Sequence, residues 1–123
     1  MRLSKTDFVH LVRLALQDVP SAFAQYLDEV VVEVQPMPAP QDCQAVGVDD
    51  PRDLLGLYHG TPLTERGVDY AEALPDRILL FQRNIERLCD TRAEVIQEVR
   101  KTVLHEIGHF FGLEEDELEG LGY

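Results

Sequence analysis

The chain has 123 residues, of which 45% are hydrophobic, so it carries enough apolar mass for one core and is predicted to form a single domain over residues 1–123. Its formal net charge is −12, from 23 acidic against 11 basic residues, and no basic cluster interrupts the acidic character. An acidic surface repels phosphate backbones, so this composition excludes nucleic acid as an expected partner.

The sequence also lacks the signals of a membrane or exported protein. No segment approaches the length of a transmembrane helix. The apolar residues near the N-terminus are interrupted by charged and polar ones, unlike those of a secretory signal. Cys43 and Cys89 lie far apart in no CxxC arrangement, which favours two reduced thiols over a disulfide. We therefore expect a cytoplasmic protein with no membrane partner.

The first half of the chain predicts one clear helix and one clear strand. Ser4 followed by Asp7 is typical of a helix start, and apolar residues then recur at helical spacing until a proline stops them. The β-branched run at residues 30–34 predicts the first strand. Residues 36–51 carry little periodicity and are predicted to be a loop. His10 stands alone on the first helix and is interpreted as an ordinary structural residue.

Two further strands are predicted before the last helix. Residues 54–59 form the second strand, and the glycine inside it and the proline after it favour a position at the sheet edge. Residues 77–81 form the third strand, introduced by a proline. Cys89, shortly afterwards, is expected to be a small core residue.

The longest predicted helix spans residues 92–111 and opens with a capping box at Thr91. Apolar residues spaced three and four apart define a core-facing stripe. The stripe consists of Ala93, Ile96, Val99, Val103, Ile107 and Phe110. His105 and His109 fall on the side opposite its centre, so the helix is predicted to be buried on one side and to line a cleft with the other. Gly112 supplies a helix stop.

The run His105-Glu106-Ile107-Gly108-His109 places two imidazoles one helical turn apart, where both can bind one metal ion. Glu106, between them, is placed to deprotonate a metal-bound water. Because a short HExxH pattern occurs by chance, its position on the polar face of a well-patterned helix strengthens the interpretation. A solvated helix face is the alternative.

A catalytic zinc site uses three protein ligands, so a third group is needed. Glu115 and Asp116 follow the glycine stop closely enough to turn back toward the ion, and the residues alone do not choose between them. Glu98, two turns before the first histidine, ranks third. The alternative for these acids is the acidic first turn of a short final helix, stabilised by the helix dipole.

The sequence resembles the small bacterial zincin-like metallopeptidases, sometimes called minimal zincins. The similarity covers most of the chain and is carried by residues 55–64 (LGLYHGTPLT), 74–78 (LPDRI) and 105–113 (HEIGHFFGL). It implies an α+β minimal zincin-like fold, in which a small mixed sheet of about three strands packs on helices. It also implies an HExxH motif on the long C-terminal helix, zinc ligation by His105 and His109, and Glu106 as general base.

Zincins generally bind an extended substrate along an exposed sheet edge beside the metal helix. Tyr58 and His59 lie on the predicted edge strand, where they would contact substrate or stabilise a tetrahedral intermediate. The alternative is that both are ordinary alternating strand residues.

The sequence therefore predicts a zinc-dependent metallopeptidase that acts on a peptide or protein substrate, with a metal-bound water as nucleophile and Glu106 as general base. Neither a third histidine nor a methionine turn follows Gly112, so we expect a shallow site, zinc that is weakly bound or absent in the isolated protein, or a site completed by another subunit of an oligomer. The alternative is a non-catalytic zincin-like domain used for metal sensing or protein binding. A metal-dependent hydrolase of non-peptide substrates ranks last, because the chain lacks both the HxxxHxxxxxH pattern and a basic surface.

Overall fold

The computed structural model describes residues 1–60 and 76–112, together with Asp116 and Gly120. The helices in this part are α1 (Lys5–Gln17), α2 (Ser21–Ala24), α3 (Pro40–Val46), α4 (Gln82–Arg87) and α5 (Arg92–Phe110). The strands are β1 (Val30–Gln35), β2 (Gly56–His59) and β3 (Asp76–Phe81). Short 3-10 helices at Gln25–Glu29 and Pro51–Asp53 precede β1 and β2. Across these ranges, no helix combines the length and apolarity needed to cross a bilayer.

The three strands form one mixed sheet in the order β1-β3-β2. β3 lies in the centre, where it runs parallel to β1, with Val30 beside Asp76. It runs antiparallel to β2, with Tyr58 opposite Ile78. The predicted α+β fold with a small mixed sheet is therefore confirmed. Within the described residues β2 is an edge strand, as the glycine and proline around it indicate.

The main core lies between one face of the sheet and the helices α1, α4 and α5. Alternation along β3 turns Ile78 and Leu80 into this core, while Leu79 and Phe81 pack with Leu57 on the other face. The side chains that are completely enclosed in the main core include Phe8, Ile78, Leu80, Ile85, Val95, Val99 and Val103. The C-terminal helix is thus anchored by its valines over most of its length.

The helix starts predicted from capping signals are present. The Ser4 hydroxyl accepts a hydrogen bond from the Asp7 N–H at 3.0 Å, at the start of α1. The Thr91 hydroxyl accepts one from the Glu94 N–H at 3.2 Å, at the start of α5. Each bond satisfies a donor that the first helical turn leaves without an intrahelical partner.

The prediction of a plain loop over residues 36–51 is wrong, because α3 lies inside it. Pro40 occupies the first position of this helix, where a proline needs no hydrogen-bond partner. The Asp42 carboxylate accepts the Ala39 N–H at 2.9 Å and so holds the first turn. The helix buries only Cys43, which explains why no apolar periodicity reveals it.

The apolar stripe of α5 also differs in one respect from the prediction. Ala93 is exposed, and Val95 takes the enclosed position at the start of the helix. Val99, Val103 and Ile107 are buried as expected. The buried face therefore runs from Val95 through Val99 and Val103, where α1 and the sheet both pack against α5.

A buried carboxylate joins the N-terminal segment to α4. Glu86 is only 2% exposed and accepts hydrogen bonds from the Leu3 N–H at 2.8 Å, Gln82 Nε2 at 3.0 Å and Arg83 at 2.7 Å. Burial alone would raise the pKa of this carboxyl. The hydrogen bonds from Gln82, Leu3 and Arg83 outweigh burial and hold the pKa of Glu86 below its ordinary value.

We expect Glu86→Gln to lower the free energy of unfolding by about 1.5–3 kcal/mol at pH 7, because it removes hydrogen bonds to a charged acceptor. The pKa of Glu86 is lower in the folded state than in the unfolded state, so the unfolded state binds the proton more readily. The stabilisation that the ionised Glu86 contributes is therefore lost as pH falls through its folded pKa. Urea unfolding between about pH 5 and pH 3 should therefore show a flatter pH dependence in Glu86→Gln than in the wild type. The exposed Glu29→Gln serves as a charge-matched control, and an equally flat profile there would contradict the assignment.

Candidate metal centre

Three metal-ligating side chains cluster on the C-terminal half of α5. His105, Glu106 and His109 each offer one ligand atom, and these atoms all lie within 4.8 Å of one another. The two imidazole ring centroids are 5.3 Å apart, with 62° between the ring planes. Both histidines are half-buried and Glu106 is 8% exposed. The spacing of four residues places the two imidazoles on one helix face.

The carboxylate of Glu106 is held by the backbone of the edge strand. The Tyr58 N–H donates a hydrogen bond to Glu106 Oε1 at 2.7 Å. The Phe81 N–H on β3 donates a hydrogen bond to the Leu55 carbonyl just before β2. In an antiparallel pair, every second residue bonds to the partner strand, so the odd-numbered residues from 55 onward bond to β3. The Tyr58 N–H therefore points away from β3. Glu106 Oε2 lies 4.0 Å from His105 Nε2. One carboxylate oxygen is therefore fixed by the sheet, and the other faces the histidines.

The Tyr58 side chain is directed to a different partner. Its hydroxyl donates to a carboxylate oxygen of Asp76, which is only 1% exposed at the start of β3. The structure thus brings the backbone of Tyr58 beside Glu106, while the hydroxyl binds Asp76. His59, the last residue of β2, is exposed. The substrate-contacting roles of Tyr58 and His59 stay predictions.

Close packing of β2 on α5 makes the Tyr58–Glu106 contact feasible. A Cβ atom added to Gly56 would lie 2.6 Å from Thr102 Cγ2 and 3.0 Å from the Leu79 carbonyl oxygen. Only glycine allows the strand to approach the helix this closely. At the other end of the site, Gly112 has a φ of 79° and ends α5, as its sequence position predicts.

The two predicted third ligands differ in what the structure describes. Asp116 is exposed and helical, and Glu115 lies outside the described residues. The cluster that emerges from the described part of the chain consists of His105, Glu106 and His109. The choice between Glu115 and Asp116 therefore stays a prediction.

Sequence reasoning missed two groups that shape this site. The Tyr58 N–H belongs to a backbone position 48 residues from Glu106, and no side-chain pattern marks it. Asp76 directly follows the proline that introduces β3, but its burial depends on the packing of the sheet. Neither contact can be predicted from a single sequence, because both join residues that are distant along the chain.

The donor set fits zinc. Two imidazoles one helical turn apart are ligands that Zn²⁺ takes in catalytic sites, and a carboxylate oxygen is the usual kind of third protein ligand. Because Glu106 Oε1 accepts the Tyr58 N–H, this carboxylate is better placed to move a proton than to bind the ion through both oxygens.

The sequence matches a known protein family over most of its length. The family model described as zincin-like metallopeptidase matches residues 27–123. The matched region begins just before β1 and includes all three strands and the histidine motif. No curated protein matches the sequence.

Proposed function

The chain belongs to the zincin-like metallopeptidase family, and we propose that it is a zinc-dependent peptidase that hydrolyses peptide bonds. The observation that carries the proposal is the cluster of His105, Glu106 and His109, in which one oxygen of Glu106 is fixed by the edge strand. Such an arrangement separates two roles, metal binding by the histidines and proton transfer by the carboxylate.

His105 and His109 would hold the zinc ion, with Glu115 or Asp116 as the third protein ligand. A bound zinc ion supplies Lewis acidity, which allows water to lose a proton near neutral pH. Weak metal binding agrees with this ligand set, because only two histidines are available on α5.

Glu106 acts as the general base. The Tyr58 N–H holds Oε1 at 2.7 Å, so Oε2 is presented on the side of His105. Oε2 takes a proton from the attacking water and then delivers it to the leaving amine. Fixing the carboxylate before substrate arrives lowers the entropic cost of reaching the reactive geometry.

The substrate would lie extended along the outer edge of β2. Within the described residues this strand pairs only with β3, and it packs directly against the helix that bears the histidines. Strand addition at this edge would use the outward-facing backbone groups of β2 other than the Tyr58 N–H, which Glu106 already binds, and would bring a scissile carbonyl near Glu106. Exposed His59, together with Tyr58, would contact the bound peptide or its tetrahedral intermediate.

Cleavage of a mixed peptide library by the purified full chain tests this function. We expect cleavage in the presence of added zinc, loss of cleavage with a chelator such as 1,10-phenanthroline, and recovery when zinc is restored. Mass spectrometry of the products reports the cleaved bonds. An intact library in the presence of stoichiometric bound zinc would contradict the proposal and favour a non-catalytic zincin-like domain.

A further inference from the structure

A cavity of about 260 Å³ opens directly beside the metal centre. His105 and Glu106 form part of its wall, so a group inside it lies next to the reacting bond. Its volume is below the range of about 300–1,000 Å³ that holds a whole drug-sized ligand. The size therefore suits one long side chain of a peptide rather than a complete small molecule.

One wall of the cavity is apolar. It is formed by Leu54 and Leu55, which lead into β2 and are half-buried. The floor is closed where Gly56 meets Thr102, because a Cβ atom on this glycine would lie 2.6 Å from Thr102 Cγ2. Such a wall favours the aliphatic part of an entering side chain.

Outside the metal centre, the lining of the cavity carries more negative than positive charge. Asp53 and Glu98 line it together with Lys101. In the described part of the chain, the side chains of Asp53 and Glu98 have no hydrogen-bond or ion-pair partner. Arg52, the neighbouring cation, is instead paired with Asp50 at 2.9 Å. The two carboxylates therefore outnumber the one ammonium group that lines the same cavity.

Glu98 stands seven residues before His105, on the same face of α5. Seven residues correspond to about 10 Å along the helix axis. This is the span from a scissile carbonyl to the charged end of a lysine or arginine one residue away. Apolar walls along the stem and carboxylates at the tip match a basic side chain, while the acidic protein repels an acidic one.

We propose that this cavity selects peptides with a lysine or arginine next to the scissile bond, with Glu98 and Asp53 as the specificity-determining residues. The inference rests on the proposed peptidase function and adds the class of substrate. Lys101 opposes the preference, since its ammonium group lies at the same cavity.

The test compares peptides that differ only at the residue beside the cleaved bond, carrying lysine, arginine, norleucine or glutamate. We expect wild-type kcat/KM to be highest for the basic residues, and Glu98→Gln and Asp53→Asn each to lower the ratio of kcat/KM for lysine to that for norleucine about tenfold. Lys101→Gln should raise kcat/KM for lysine. Glu29→Gln, an exposed site that does not line the cavity, should leave this ratio unchanged. Cleavage with no basic preference, or a preference kept in both acid variants, would overturn the inference but leave the peptidase function standing.

Peptide binding to the zinc-free protein tests the basic-side-chain site independently of peptidase activity. Acetyl-Gly-Lys-amide should shift the backbone amide NMR signals of Glu98 and Thr102 in the zinc-free protein more than acetyl-Gly-norleucine-amide does. This difference should disappear in Glu98→Gln. If no library peptide is cleaved yet the lysine peptide is preferred, the peptidase function fails and the basic-side-chain site stands. Equal shifts from the two peptides would overturn the site itself.

Discussion

Replacing Glu106 by glutamine is expected to lower kcat for peptide cleavage by about 10²–10⁴-fold, because glutamine cannot accept the proton of the attacking water. The side chain has the same shape, and its carbonyl oxygen can still accept the Tyr58 N–H that binds Oε1 at 2.7 Å. The fold and the affinity for zinc should therefore change little. Steady-state kinetics on one cleaved peptide, together with zinc content by elemental analysis, measures both quantities.

Alanine at the same position distinguishes a chemical role from a structural one. Glu106→Ala removes the acceptor of the Tyr58 N–H, and leaving that donor unpaired should lower the free energy of unfolding by about 1–3 kcal/mol more than glutamine does. Glu29→Gln is the charge-matched control for activity. Wild-type cleavage by zinc-loaded Glu106→Gln would show that the carboxylate is not the base.

Substitution of either histidine by alanine is expected to weaken zinc binding more than about 100-fold, since even loss of a hydrogen bond behind a metal ligand costs about 10–100-fold. The ligand atoms of both residues lie within 4.8 Å of each other, so neither alone retains the chelating pair. Competition with a chromophoric chelator measures the affinity. Cleavage should fall together with zinc occupancy in both variants.

His10→Ala is the matched control for these histidine variants. His10 is exposed on α1, and the structure places it outside the cluster on α5. Its removal should leave zinc affinity unchanged. Equal weakening by His10→Ala and His109→Ala would mean that zinc binds the surface non-specifically.

Most of the fold follows from local signals in the sequence. The apolar run of β3 and the capped, periodic pattern of α5 predict elements whose positions the structure confirms. The sequence does not predict α3, because this helix begins at a proline and buries a single cysteine. Neither periodicity nor composition distinguishes such a segment from a loop. Spacing alone predicts Ala93 in the core stripe, because it does not tell how neighbouring elements rotate a helix.

The sequence predicts the histidine pair of the candidate site but not the contacts that depend on packing between elements. The spacing of His105 and His109 encodes their common face, because a helix repeats every 3.6 residues. The anchoring of Glu106 depends on a backbone N–H brought close by the packing of β2 on α5, and any residue except proline carries that donor. The cavity beside the site likewise depends on the approach that Gly56 allows.

Anomalous scattering at the zinc absorption edge, from a crystal of the full chain grown with zinc, tests the central claim most directly. We expect one anomalous peak between the imidazoles of His105 and His109, with Glu115 or Asp116 as a further ligand and the Tyr58 N–H still bonded to Glu106. Zinc bound elsewhere, with no peak at these two histidines, would contradict it.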